Sequence, residues 1–239
     1  SAIDGFDPKG FKLKLAFVVD EENYSLGMHT LIKSGWLKDV AGAICPEPSF
    51  SAGYKGIALG RIGRSVYKVT VNTSGGHVYQ VESRANAISE SYKLLEVLRK
   101  FKPVSHKNLG DFVIFPRFIK GGANSMSIPG EVVIELEAQL VPPQTAESVL
   151  NEIRSILSTA DIRANVTIEP VKRPTPFCQP FIISQSNPFV KQVSQVLEDT
   201  FGEKPVCYYR RSVADENRIA SLGIPVLTIG PGGGNAHEA

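Results

Sequence analysis

The stretch KLKLAFVVDEENYSLGMHTLIK occupies residues 12–33 and gives the clearest indication of the fold. Its first eight residues form a short apolar run that ends in valines, which predicts a buried strand. Residues 25–33 have helical spacing and are followed by Gly35, a common helix stop. Residues 40–45 form a second apolar run, closed by prolines. Strand, loop, helix and strand in this order predict an α/β unit with a parallel sheet.

The middle of the chain has a different pattern. Its predicted elements are strands at residues 64–72, 111–119, 131–140 and 164–170, and helices at residues 85–101 and from residue 145. In the first of these helices, Ile88, Tyr92, Leu95 and Leu98 lie three or four residues apart, which predicts that they share one apolar face. The order β-α-β-β-α-β matches the ferredoxin-like pattern, an antiparallel sheet with two helices on one face.

After a proline-rich segment, the remainder of the chain returns to alternating helices and strands, as in the first 48 residues. We therefore predict one α/β catalytic domain with a parallel-rich sheet, interrupted by a ferredoxin-like insert. The predicted boundaries place residues 1–57 and 171–239 in the α/β domain and residues 58–170 in the insert.

The composition argues against several classes of function. Apolar residues make up 42% of the 239, enough for a sizeable core, and the formal net charge of +2 carries no long run of one sign. This balance disfavours a nucleic-acid or anionic-membrane surface. No apolar run approaches the ~18 residues of a spanning helix. Cys45, Cys178 and Cys207 are few and far apart, which predicts reduced thiols in a cytoplasmic protein.

Acidic residues and a histidine follow three separate strands of the predicted α/β domain. Asp20, Glu21 and Glu22 end the first strand, Glu47 follows the second, and His237 follows the last in VLTIGPGGGNAH. Carboxyl ends of parallel strands meet at one sheet edge, where ligands gather. Carboxylates with an imidazole predict a site for two divalent cations, which would offset the repulsion between the acids.

Each piece alone has an ordinary structural explanation. Acids after a strand suit a helix N-terminus, a glutamate between prolines suits a solvated turn, and a single histidine is usually structural. The run GPGGG could be a phosphate loop, but it lacks the following Lys and Ser/Thr of nucleoside-triphosphate loops. The metal hypothesis therefore depends on the three pieces occurring together.

The same residues resemble the co-catalytic zinc amidohydrolases, a family that includes acetylornithine deacetylase, succinyl-diaminopimelate desuccinylase, aminoacylases and glutamate carboxypeptidases. The resemblance is carried by four motifs in family order: VVDEE, CPEPS, IGRSVYKVTVNTSGGHVYQVESRANAI and SVADENRIASLGIPVLTIGPGGGNAHEA. It covers nearly the whole chain and implies a metallopeptidase-type catalytic domain with an inserted dimerisation domain.

The resemblance implies a role for each matching residue. Glu21 would be the general base that takes a proton from a metal-bridging water. Glu22, Glu47 and His237 would be metal ligands, and the two ions would be zinc, with cobalt or manganese as alternatives. His77 would reach from the insert of one subunit into the partner's active site and stabilise the developing negative oxygen.

Substrate contacts are less clearly implied. Arg210, Arg211 and Asp215 lie where the family holds a substrate carboxylate or orders the site, and the choice between the two arginines stays open. Gly232 and Gly233 would permit close approach of the backbone to substrate. The family often has a substrate-contacting asparagine at the position of Met126, whereas here Asn124 lies two residues earlier.

Two family motifs are missing, the His-x-Asp strand end and the metal-bridging Asp that precede the glutamate pair. The chain is therefore expected to be truncated at both ends and inactive alone. For the complete protein we expect hydrolysis of an N-acyl amino acid by a deacetylase or desuccinylase reaction, in a homodimer formed through residues 58–170. The alternatives are a carboxypeptidase or dipeptidase of the same family, or an inactive dimerising homologue.

Overall fold

The computed structural model describes residues 10, 12–48 and 55–232. The helices are α1 (Leu26–Lys33), α2 (Ala87–Leu98), α3 (Ala146–Ser158), α4 (Pro188–Phe201) and α5 (Asp215–Ala220). The strands are β1 (Ala43–Cys45), β2 (Gly56–Arg61), β3 (Gly63–Asn72), β4 (Gly76–His77), β5 (Ser105–His106), β6 (Gly110–Asp111), β7 (Val113–Gly121), β8 (Ser127–Ile128), β9 (Glu131–Leu140), β10 (Asn165–Pro170), β11 (Phe181–Ile182), β12 (Val206–Arg210) and β13 (Val226–Thr228).

Strands from both ends of the chain form one mixed sheet of five strands. The order is β1-β13-β2-β11, and β12 also pairs with β2. The β1–β13 and β2–β12 pairs are parallel, as the sequence predicts for an α/β unit. Apolar side chains from this sheet and from α1, α4 and α5 form one core, which includes Met28, Ile57, Leu59, Val190 and Ile219.

The middle of the chain forms an antiparallel four-stranded sheet in the order β10-β3-β9-β7. This order, with α2 and α3 as the two connecting helices, is the ferredoxin-like arrangement predicted from the sequence. β3 and β9 pair along ten residues, from Gly63 opposite Leu140 to Asn72 opposite Glu131. Their alternate residues are buried beneath the helices in a separate core that includes Val69, Ile134 and Leu94.

The predicted boundary between residues 57 and 58 falls inside β2. This strand pairs with β11, β12 and β13 and is buried at all six residues, so it belongs to the first sheet. Only Ile62 separates β2 from β3, and β3 belongs to the second sheet. The chain therefore crosses between the sheets at Ile62. Because β2 is buried on both faces, its sequence lacks the alternation that identified β3.

The prediction of a buried strand over residues 12–19 is wrong for the described structure. Phe17 is 94% exposed and Val19 is 71% exposed. A strand needs a neighbouring strand to satisfy its backbone groups, and no described strand pairs with this segment.

The apolar face predicted for α2 is partly wrong. Leu98 is buried as expected, but Ile88 and Tyr92 are 48% and 66% exposed. The buried residues are Ala87, Glu90, Ser91, Leu94 and Leu98. They also have helical spacing, so the face is displaced around the helix by about one residue.

No helix in the part of the chain that the structure describes is long and apolar enough to cross a membrane.

Candidate active site

A tight turn holds the acidic residues that follow residue 19. Asp20 has a left-handed backbone, with φ of 66°, and its carbonyl accepts a hydrogen bond from the Ser25 amide at 2.6 Å. Its carboxylate accepts from the Tyr24 and Leu26 amides at 3.2 and 3.1 Å. Asp20 thus closes the turn and provides hydrogen-bond acceptors for backbone amides at the start of α1. Its two neighbours, Glu21 and Glu22, both line a cleft.

Gly27 lets α1 pack directly on the residues before this turn. Its amide donates to the Val19 carbonyl at 3.1 Å. A Cβ at Gly27 would lie 2.5 Å from the Val19 nitrogen, closer than real Cβ contacts allow. A side chain at this position would therefore displace the acidic turn.

Glu47 lies at the end of β1, beside the chain that leaves β13. The Ile229 amide donates to the Cys45 carbonyl at 3.2 Å. A Cβ at Gly230 would lie 2.1 Å from the Glu47 carbonyl oxygen, so glycine is required for this approach. The segment that leads toward His237 therefore starts next to Glu47. His237 and Gly233 themselves lie outside the described residues, and Gly232 is exposed near the end of the described segment.

A buried ionic network anchors Glu47. Arg61, at the end of β2, is 1% exposed. Its Nη2 donates to Glu47 Oε2 and, at 2.6 Å, to Glu216 Oε1. The Thr228 hydroxyl donates to the same Glu216 oxygen. Arg210 Nη1 donates to Glu47 Oε2 at 3.0 Å. Glu47 is thus held by two guanidinium groups.

Glu21 is half-buried in a region rich in negative charge. Burial, followed by the charges of Glu47, Asp215, Glu22 and Glu216, raises the pKa of Glu21 to about 7. Within the described residues, its carboxylate has no hydrogen-bond or ion-pair partner. Glu22, Glu47, Asp215 and Glu216 therefore lie close enough to Glu21 to act on its ionisation.

Asp215 is buried at the start of α5 and accepts a hydrogen bond from the Ser25 hydroxyl at 2.6 Å. Burial raises the pKa of Asp215, and the Ser25 hydrogen bond acts in the opposite direction. The bond connects α5 to the acidic turn.

The two arginines left open by the sequence have different surroundings. Arg210 lies on Glu47, as described above. Arg211 is exposed and turns toward the insert, where it donates to the carbonyls of Leu109 and Asp111 and to the Gln139 side chain. Arg210, and not Arg211, therefore lies beside Glu47, one of the predicted metal ligands.

A cleft of about 220 Å³ opens beside Glu21 and Glu22, and three arginines that sequence reasoning missed contribute to its lining. They are Arg64, Arg173 and Arg218. Arg64 makes a bidentate pair with Glu137 at 3.0 and 2.8 Å. Neither Arg173 nor Arg218 has an ion pair with a carboxylate in the described part of the chain. Burial, and then the charge of Arg218, lower the pKa of Arg173.

Arg218 and Arg173 also hold the loops around the cleft. Arg218 is 6% exposed and donates to the Tyr24 and Pro176 carbonyls, each at 3.1 Å. Arg173 donates to the Asn23 carbonyl at 3.2 Å. The position of Arg218, three residues after Asp215 on the same helix, was the available sequence signal. The lining of the cleft therefore carries both carboxylate and guanidinium groups.

His77 and Asn124 lie together at one end of the insert. His77, in β4, pairs with Ser127 in β8, and both His77 and Asn124 are exposed. The Ser127 amide donates to the Asn124 carbonyl at 3.3 Å. His77 is not among the residues that line the cleft beside Glu21.

The residues present fit a divalent metal site at this edge. Glu21 and Glu22 lie on the cleft, and both described hydrogen bonds of the Glu47 side chain end on Oε2, which leaves carboxylate oxygens of Glu21 and Glu47 without a described partner. Such oxygens suit divalent cations. Within residues 12–48 and 55–232, no group of three metal-ligating side chains lies close enough to hold an ion by itself. A metal ion at this edge would need further ligands.

Comparisons with known proteins identify the family of the chain. The family model of peptidase family M20/M25/M40 matches residues 2–239. The chain is 27% identical, over 229 residues, to a [LysW]-lysine/[LysW]-ornithine hydrolase of Sulfurisphaera tokodaii, covering 94% of this chain and 58% of the relative.

Solved structures show the same fold. A tripeptidase from Staphylococcus aureus matches with a TM-score of 0.71 and 17% identity, covering 92% of this chain and 56% of that one. A dinuclear metal-binding M20 peptidase from Bacillus subtilis matches with a TM-score of 0.69 and 12% identity, covering 93% and 57%. The chain thus spans slightly more than half the length of these relatives. From the family match along its whole length, this chain belongs to peptidase family M20/M25/M40.

Proposed function

We propose that the intact protein hydrolyses the amide bond of an N-acyl amino acid, in a reaction of the deacetylase or desuccinylase type. The observation that carries the proposal is the turn at residues 20–25. This turn holds Glu21 and Glu22 beside a cleft, and Glu47 lies close enough to act on the ionisation of Glu21.

Each residue has a distinct proposed role. Glu21 is the general base, half-buried and free of competing hydrogen bonds from the described residues, so its carboxylate can accept a proton from water and pass it to the leaving amine. Glu22, Glu47 and His237 hold two divalent ions. Zinc is proposed because carboxylate and imidazole are its ligands in proteins, with cobalt or manganese as alternatives. The ions would supply the positive charge that makes water nucleophilic at neutral pH.

The cleft favours a substrate that carries a free carboxylate. Arg173 and Arg218 supply positive charge to its lining, and guanidinium groups bind carboxylates well. Asp215 fixes the turn at residues 20–25 by accepting the hydrogen bond from the Ser25 hydroxyl. Arg210 and Arg211, with Gly232, Gly233 and Asn124, stay proposed contacts. The relative from Sulfurisphaera tokodaii is described as acting on lysine- and ornithine-containing substrates, so acyl derivatives of basic amino acids belong among those to be tried.

We further propose that the protein acts in the cytoplasm as a homodimer formed through the insert. β7 is an edge strand with exposed apolar side chains, including Phe118 and Ile119. An edge strand with a single neighbour among the described strands can pair with a second copy. His77 would then stabilise the developing oxyanion in the partner's site, which is compatible with its exposed position away from the cleft of its own chain.

A carboxypeptidase or dipeptidase reaction is the second candidate. It is supported by the fold similarity to a tripeptidase, and it would use the same base and metal ligands. A truncated, inactive dimerising homologue is the remaining alternative.

The test is hydrolysis by the intact protein and its Glu21→Gln variant, with acetyl- and succinyl-amino acids and di- and tripeptides as substrates. We expect acyl amino acids to be cleaved faster than peptides. Loss of a general base should lower the rate by about 10²- to 10⁴-fold while bound metal is retained. Glu131→Gln, an exposed position on β9, should retain the rate. Unchanged turnover in Glu21→Gln would remove the assignment.

A further inference from the structure

Glu47 is held in an unsymmetrical way. Both of its described side-chain hydrogen bonds, from Arg61 and Arg210, end on Oε2. Its Oε1 has no hydrogen-bond partner among the described residues. The Glu47 side chain is 29% exposed, whereas that of Arg61 is 2% exposed. One oxygen is therefore fixed toward the interior, and the other is left available at the edge of the site.

Arg61 is itself fixed from several directions. Its Nη1 donates to Ser212 Oγ at 2.9 Å, and its Nη2 donates to Glu216, which is fully buried. Arg61 ends β2, Ser212 follows β12, and Glu216 lies on α5. A guanidinium group can make these bonds together because its donors are spread in a rigid plane. The network thus connects Glu47 to three other elements.

We propose that Arg61 is a positioning residue for the metal site. It holds Glu47 through Oε2 so that Oε1 is directed to a metal ion. Arg61 also offsets the charge of Glu216. This buried carboxylate therefore does not draw the metal ion away from Glu47. This inference rests on the proposed function, because it takes Glu47 as a metal ligand.

A purely structural role for Arg61 is the competing explanation. Arg61 and Glu216 form a buried ion pair, and removing one partner of such a pair destabilises a protein strongly. The experiment therefore needs a readout of the metal site that is separate from folding. It also needs a variant that removes the ion pair without leaving a buried charge.

The experiment is a titration of the intact protein, stripped of metal, with Co²⁺, followed by its visible absorption and by competition with a chelator. The variants are Arg61→Lys and the double variant Arg61→Met with Glu216→Met, which replaces the buried pair by apolar side chains. Arg117→Lys is the matched control, because Arg117 pairs with Glu135 on the insert, away from Glu47. Thermal unfolding is measured for every variant.

We expect folded Arg61→Lys to bind Co²⁺ about 10- to 100-fold more weakly than the wild type, as is usual when the partner of a metal ligand is lost. Its absorption spectrum should also change. The double variant should show the same weakening, and Arg117→Lys should bind as the wild type does. If Arg61→Lys is unfolded, the double variant decides.

Wild-type affinity and spectrum in a folded Arg61 variant would overturn the positioning role while leaving the proposed function intact. Tighter binding would also overturn it, because it would mean that Arg61 competes with the ion for Glu47. Absence of Co²⁺ binding by the wild type would overturn the proposed function, and this inference with it.

Discussion

Glu21 and Glu22 are adjacent in sequence, but the turn gives them different surroundings. Glu22 is exposed, whereas Glu21 is half-buried and its pKa is raised to about 7 by burial and by neighbouring carboxylates. A half-buried carboxyl beside other acids suits a proton acceptor, and an exposed one at the same edge suits a ligand. Asp20 makes this division possible because its own carboxylate is used to close the turn.

Glu90 shows the opposite electrostatic effect, and it permits a test of stability against pH. It is 4% exposed on α2 and accepts hydrogen bonds from Lys93 at 2.8 Å and from the Arg163 amide at 2.6 Å. Burial opposes ionisation, but the Lys93 and Arg163 bonds outweigh it and lower the pKa of Glu90. A carboxyl group with a lowered pKa stabilises the fold at pH values above its ordinary pKa of about 4.3. That stability is lost as the pH falls through the pKa of the folded state.

We therefore expect Glu90→Gln to lower the free energy of unfolding by about 1–3 kcal/mol at pH 7, with a smaller difference below about pH 4. Glu96→Gln on the same helix is the control. Glu96 forms an exposed pair with Arg99, so its effect should stay within about 0.5 kcal/mol. Urea unfolding at several pH values measures both. A pH-independent difference for Glu90→Gln would contradict the assignment.

At the scale of elements, β7 is the most unusual strand of the insert. It lies at the edge of its sheet and is exposed at eight of its nine residues, with one irregularity between Pro116 and Phe118. Exposed apolar side chains on a free edge are a liability for a monomer. The proposed homodimer would cover this edge with a second copy.

The dimer can be tested with a pair of matched variants. Ile119 on β7 and Val196 on α4 are both 58% exposed. Ile119→Lys should weaken dimerisation, because it places charge on the proposed interface, whereas Val196→Lys should leave the oligomeric state unchanged. Sedimentation of the intact protein at several concentrations distinguishes the two. Equal behaviour of the variants would place the interface, if one forms, elsewhere.

The elements also show which features a sequence can predict. β3 and β9 were predicted well, because one face is buried and the alternation of their residues records it. β2 was missed because it is buried on both faces and contains two glycines. For α2, the spacing of the apolar residues predicted a helix. It did not identify the buried face, because apolar residues three or four positions apart also lie on a face that is exposed in the fold.

The grouping of the acids was inferred from strand ends that meet at one sheet edge. In the described structure Glu47 does follow a strand, but the turn closed by Asp20, and not a strand end, positions Glu21 and Glu22. Arg61 was not predicted. An arginine at the end of a strand usually suggests a solvated charge, and only the packing of β2 against β12 and β13 shows that its partners are Glu47 and Glu216.

At the scale of the whole molecule, the site lies beside the junction of the two sheets. The Asn217 side chain donates to the carbonyls of Ile62 and Gln179, at 2.9 and 2.8 Å, where the chain leaves and rejoins the first sheet. Ile62 packs with Leu109 and Val141 of the insert in a small buried cluster. The cleft beside Glu21 is lined from both sides of this junction, so its shape depends on how the insert is held.

The most direct test of the account is the metal content of the intact protein, measured by elemental analysis after purification. We predict two divalent ions per chain in the wild type and in Glu21→Gln, and fewer in Glu22→Gln, because Glu22 is assigned as a ligand and Glu21 is not. A wild-type protein without bound divalent metal would contradict the account. The acids around Glu21 would then have to be held by the neighbouring arginines alone.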